Sequence, residues 1–136
     1  MKRRRAREYA LQILFQIDFK GKEIASKDFE AFWSDKDLSE DIKKFTEELV
    51  KGTLQRLEKI DSRIEMVAEN WILNRMAAVD RNILRLAAYE ILYRKDIPLA
   101  VTINEAIEIA KKFSTSEAAP FINGILDKLA EEAARA

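Results

Sequence analysis

Arg3, Arg4, Arg5 and Arg7, with Lys2 ahead of them, put five cations into the first seven residues. Guanidinium groups at this density can fork onto successive phosphates of a nucleic-acid backbone. The whole chain carries 24 Lys and Arg against 24 Asp and Glu, so everything after Arg7 is net acidic by five and any attraction for a polyanion is confined to this end. A solvated chain end is the plainer reading of the same run, and on charge alone both stand. A second constellation lies toward the C-terminus, where Asn104, Glu105, Glu108, Asn123 and Asp127 are the polar groups of two apolar helices. Glu105 and Glu108 share a helical face three residues apart and could hold a metal ion. Thr102 to Glu105, however, spells the T-x-x-E of a capping box, which already employs Glu105, and no His or Gly-rich loop accompanies it.

The absences narrow the chemistry further. There is no Cys and no His, which removes thiolate nucleophiles, disulfides, Cys-based zinc sites and the commonest acid–base side chain. P-loop, nucleophile-elbow and dinucleotide fingerprints are missing as well. No catalytic residue, metal or cofactor is expected. Glu8, Gln12, Gln16 and Asp18 interrupt the apolar stretch behind the basic start, so it does not read as a signal peptide, and no apolar run is long enough to span a bilayer. A cytoplasmic protein without a membrane role is the expectation. At 136 residues with 48% hydrophobic content, the chain can build the core of one domain without staples.

Helices must position these groups. Three Gly, two Pro and no period-two alternation leave no strands to propose. The first helix should run from about Arg4 to Lys20, burying Tyr9, Ala10, Ile13, Leu14 and Ile17, with Gly21 as its stop. A short helix from Asp28 to Trp33 follows, then a loop. Ser39 is a suitable N-cap for a long helix carrying Ile42, Phe45, Leu49 and Leu57 as far as Ile60 and Asp61, with Glu40 and Asp41 in its first turn. A fourth helix spans Asp61 to Trp71, and Asn74 is a candidate cap for the next. Val79 to Arg94 is the most apolar segment, so wide in its stripe that it belongs at the centre of the fold. The capping box opens a sixth helix at Thr102, and a seventh carries Phe121, Ile122, Ile125, Leu126 and Leu129, with Pro120 tolerated in its first turn.

Asp80, Arg81 and Arg85 interleave with the apolar face of the fifth helix. They could rim a partner site, or Arg81 and Arg85 could form a solvated row one turn apart. Phe15 and Phe121 could each anchor a partner or stack a base, although an aromatic at helical spacing more often belongs to a core.

Four blocks taken together resemble the NusB family of bacterial transcription antitermination factors. They are R-R-R-A-R-E at Arg3 to Glu8, V-D-R-N-I-L-R-L-A-A-Y-E at Val79 to Glu90, I-P-L-A-V-T-I-N-E-A-I-E-I-A-K at Ile97 to Lys111, and F-I-N-G-I-L-D at Phe121 to Asp127. The resemblance runs to about Lys128 and is weakest from Gly21 to Leu38. It implies an all-α fold of two perpendicular three-helix bundles, about 1–60 and 61–136, packed together with one extra C-terminal helix in a single domain. It further implies pairing with NusE, the ribosomal small-subunit protein, and a joint grip on single-stranded boxA RNA of nascent transcripts, especially of ribosomal RNA operons. That complex would act on RNA polymerase with other Nus factors.

Position by position, the resemblance implies RNA contacts at Lys2, Arg3, Arg4, Arg5, Arg7, Glu117 and Phe121, and partner contacts at Phe15 and Asp80, with Arg81 beside them. Glu117 stands where Asp is commoner, and Pro120 where charged residues occur. Two rivals accompany this reading. One is an RNA-binding module of the kind fused to ribosomal-RNA cytosine methyltransferases, against which the 136-residue length speaks. The other is an autoinhibited homodimer in which the fifth helix meets its own copy and masks the arm.

Overall fold

A computed structural model of the protein describes residues 2–20, 26–69 and 72–135. Among them are seven α-helices and no strand: α1 Lys2–Lys20, α2 Ser26–Trp33, α3 Glu40–Gln55, α4 Leu57–Val67, α5 Ala78–Tyr93, α6 Leu99–Phe113 and α7 Ala118–Arg135, with a 3₁₀ turn at Leu73–Arg75 before α5. The chain is all-α.

Two apolar clusters organise these helices. One is built from Ala6, Ala10, Ile13 and Leu14 of α1, Phe29 and Trp33 of α2, and Ile42, Phe45, Leu49 and Val50 of α3. The other gathers Ile60 and Ile64 of α4, Ile83, Leu84 and Ile91 of α5, Ile109 of α6, and Ile122, Leu126 and Leu129 of α7. Helix α5 serves both, because Leu86 turns toward the first cluster, Ile83, Leu84 and Ile91 face the second, and Tyr89 packs against each. Its broad apolar stripe is therefore used on more than one side, as its composition predicts. Leu11 returns the exchange from α1 into the second cluster.

Several boundaries follow local chemistry. The Ser39 hydroxyl accepts from the Ile42 amide, with Glu40 and Asp41 in the first turn of α3. Pro120 lies in the first turn of α7, where its missing N–H costs no helical hydrogen bond.

Others depart from the sequence expectation. The long third helix ends at Gln55 rather than near Ile60, and the Arg56 amide closes back on the Thr53 and Leu54 carbonyls before α4 begins. No Gly or Pro marks the break. The physical reason is the change of cluster: residues up to Val50 bury in the first, whereas Ile60, Ile64 and Val67 bury in the second. Helix α6 opens at Leu99, with the Pro98 carbonyl accepting from the Val101 and Thr102 amides, so the predicted capping box is not one. Thr102 lies inside the helix, and its hydroxyl donates to Glu90. Asn74 falls in the 3₁₀ turn and caps nothing; Ala77 holds the N-cap position of α5. Gly21 and Trp71 lie outside the described residues.

Candidate nucleic-acid interface

The basic segment is the first two turns of α1, not a loose tail, and helical geometry sends its arginines in different directions. Arg3 is exposed, with its guanidinium 4.4 Å from the centre of the Phe45 ring. Arg5 is exposed too, and donates to the Tyr9 hydroxyl at 3.4 Å. Arg4 reaches across to α6, where Nε and Nη2 donate to both oxygens of Glu105 at 2.9 and 2.7 Å. Arg7 points inward and is only 4% exposed. Its fork closes on Glu90 at 2.8 and 2.9 Å, and Glu90 also accepts the Thr102 hydroxyl at 2.9 Å.

Arg7 therefore leaves the set expected to touch RNA. The correction has a clear cause: a buried carboxylate on α5 needs a buried cation, and α1 supplies it at the residue that faces the core. Lys2 begins the helix, but its side chain lies outside the described residues. What remains on the surface is a cationic strip of exposed Arg3 and Arg5, with Arg4 half-buried between them on Glu105. A groove of about 590 Å³ is lined by Arg3, Arg4 and Arg7 together with Asp96, Pro98, Val101 and Glu105.

The electrostatics reinforce this sorting. The hydrogen bonds from Arg4, together with the positive charges of Arg4 and Arg7, hold the Glu105 carboxyl below its ordinary range. Glu105 is thus a counter-ion rather than a helix cap. Glu108 pairs with Lys111 at 3.3 Å instead. Among the described residues, no group of three or more His, Cys, Asp and Glu is arranged to hold a metal ion. Farther along α1, Glu8 accepts from Lys112 at 3.0 Å, tying the end of α6 to the second turn of α1.

The other expected contact residues are spread over separate faces. Glu117 is exposed between α6 and α7, and Phe121 is half-buried against the second cluster. Phe15 keeps 37% of its surface and Phe19 84%, so α1 carries an aromatic face one turn long, away from the arginines. Asp80 is half-buried and accepts from the Ser114 hydroxyl.

Arg81 is not a free rim residue. It donates to Asp18 at 2.8 Å and to the Leu73 and Met76 carbonyls at 3.2 and 3.0 Å, fastening the turn before α5. Nor is Arg85 part of a solvated row, since it is buried and forks onto Asp61 at 2.8 and 2.9 Å. Asp18 joins this set from α1. Burial raises its proton affinity, but hydrogen bonds from Arg81 and Asn82 and the charges of Arg81 and Arg85 outweigh it and hold the carboxyl below its ordinary range.

Sequence reasoning overlooked Glu90, Asp18 and Asp61 as partners of these arginines. Glu90 did leave a signal: a carboxylate within the most apolar helix is rarely buried without a cation.

Fold and surface together define an all-helical protein that presents a basic helix end beside a groove. The chain belongs to the NusB family, whose model matches residues 4–131. The transcription antitermination protein NusB of Thermodesulfovibrio yellowstonii is 48% identical over 141 residues, covering 97% of this chain and 93% of that protein. T. maritima NusB superposes with a TM-score of 0.87 at 43% identity, over 96% of this chain and 91% of that one. A chain of the crystal structure of antitermination factors NusB and NusE in complex with dsRNA superposes with a TM-score of 0.86 at 25% identity, over 96% of this chain and 97% of that one. None of the described helices is long and apolar enough to cross a membrane.

Proposed function

We propose that this protein is a transcription antitermination factor that pairs with NusE and, with it, holds single-stranded boxA RNA of nascent transcripts, especially those of ribosomal RNA operons. The carrying observation is the cationic start of α1, with Arg3 and Arg5 exposed and Arg4 half-buried between them, on a chain that belongs to the NusB family. Arg forks neutralise phosphates, while polar edges and aromatic faces meet unstacked bases, which is how single strands are recognised. Lys2 is assigned to the phosphates with these arginines, and Glu117 and Phe121 to the bases. Phe15 and Asp80 face NusE.

The protein acts without catalysis, in the cytoplasm, as one NusB-like unit of an N-terminal and a C-terminal bundle. Through NusE it reaches RNA polymerase and other Nus factors. The superposed relative was crystallised with dsRNA, so a duplex belongs among the RNAs compared.

The test is binding to boxA single strand, a scrambled strand and a boxA duplex across a salt series, with and without NusE. The single boxA strand should bind tightest, and NusE and RNA should strengthen each other reciprocally. Arg3→Ala and Arg5→Ala should each lower the salt slope by about 0.7, the single-strand figure per phosphate contact. Equal binding of all three RNAs with no effect of NusE would reduce the strip to a general polyanion grip.

A further inference from the structure

Arg4 differs from its neighbours in being at once reachable and already neutralised. Its side chain keeps 32% of its surface, yet both ends of its fork rest on Glu105. Arg3 and Arg5 lie against the Phe45 and Tyr9 rings instead, and Arg7 is closed off with Glu90. Glu105 also has a second cation within reach, because Arg7 Nη1 stands 3.8 Å from its Oε1. Arg7 cannot leave, being buried and anchored. Glu105 can therefore give up Arg4 without becoming a carboxylate stranded away from positive charge. A phosphodiester presents the same paired oxygens to a guanidinium fork as a carboxylate does, so a swap conserves the geometry at Arg4. The groove beside Arg4, lined also by Arg3, Pro98, Val101 and an Asp96 already paired with Arg94, leaves room for a strand to approach.

We propose that Glu105 is an exchangeable counter-ion: in the free protein it holds Arg4, and on binding an RNA phosphodiester takes its place on Arg4 while Glu105 falls back on Arg7. The inference rests on the RNA-binding reading above and deepens it by assigning control of the arm's affinity to a carboxylate of α6. Arg4 is then a latent phosphate contact whose release opposes every weak encounter. The gain from that contact is reduced by the pair that must open.

The experiment measures the affinity of a fluorescein-labelled boxA single strand by anisotropy over a salt series, for wild type, Glu105→Gln, Arg4→Ala and the double variant. Glu108→Gln serves as the charge control, since Glu108 sits one turn along α6 with 46% of its side chain exposed. Glu105→Gln should bind roughly two- to fivefold tighter than Glu108→Gln, the scale of a partly exposed ion pair. Arg4→Ala should weaken binding more in the Glu105→Gln background than in wild type, the non-additivity expected of exchange.

Circular dichroism checks folding, and Glu105→Asp, which keeps the charge but is too short to hold both ends of the fork, should also tighten binding. Equality of Glu105→Gln and Glu108→Gln would leave only a distant charge effect and overturn the proposal. Weaker binding by a folded Glu105→Gln would make Glu105 a residue that positions Arg4 for RNA, and additive effects would exclude exchange. A wild type that prefers boxA but shows no Glu105 effect refutes this inference alone, whereas a wild type without RNA preference removes the functional reading with it.

Discussion

Among the described residues, Arg7, Glu90 and Thr102 form a deeply buried polar group that joins three helices. Arg7 is 4%, Glu90 1% and Thr102 2% exposed, and every link between them is 2.9 Å or shorter. Such a pair adds little net stability over an apolar replacement, but removing one partner strands the other. Arg7→Ala is expected to cost about 3–5 kcal/mol, read as a drop in the urea midpoint at unchanged slope. Arg7→Met with Glu90→Leu should recover much of that loss. A single variant within 1 kcal/mol of wild type, on the scale of a surface pair, would mean that the pair is solvated in solution. The neighbouring Arg4 pair is the opposite case, because solvent reaches it and a phosphate can compete there.

Helix α3 shows how packing at one residue sets the spacing of two elements. Gly52 is buried, and a Cβ built on it would overlap the Tyr89 ring of α5. That ring is held in turn by a stacked Tyr93 at 5.9 Å. Alanine would favour the helix by about 1 kcal/mol on propensity alone. The overlap should prevail, so Gly52→Ala is expected to destabilise by roughly 1–2 kcal/mol in thermal unfolding. In a Tyr89→Leu background the same change should become neutral or stabilising. If Gly52→Ala raises the melting temperature of the wild type, α3 and α5 do not approach as closely as described.

Ion pairs link the two apolar clusters of the molecule. Asp18 of α1 meets Arg81 and Arg85 of α5, Arg85 continues to Asp61 of α4, and Arg4 of α1 meets Glu105 of α6. Asp18 and Glu105 both titrate below their ordinary ranges in the folded state. A depressed folded pKa contributes stability that is fully present above the unfolded value and lost as pH falls through the folded one. Unfolding free energy should therefore be level near neutrality and decline below about pH 4. Asp18→Asn with Glu105→Gln should lower the plateau and flatten the acid decline. A decline of unchanged steepness in that variant would assign the acid sensitivity to other carboxylates.

Much of this architecture is written in local spacing. Seven helices, the central role of α5, the Ser39 cap, Pro120 in a first turn and the cationic start follow from apolar period, cap chemistry and charge, which act within a few residues. Three features depend on contacts between distant residues. The break at Arg56 exists because the flanking segments bury in different clusters, and α6 begins at Leu99 because Thr102 and Glu105 are drawn to Glu90 and Arg4 instead of capping. The division of one arginine run into an exposed strip, a counter-ion pair and a buried staple is the third. Sequence alone determined that cations gather at this end, since composition and order fix charge. Only the tertiary structure decided which of them face solvent, because the carboxylates that take up Arg4 and Arg7 lie 101 and 83 residues away along the chain.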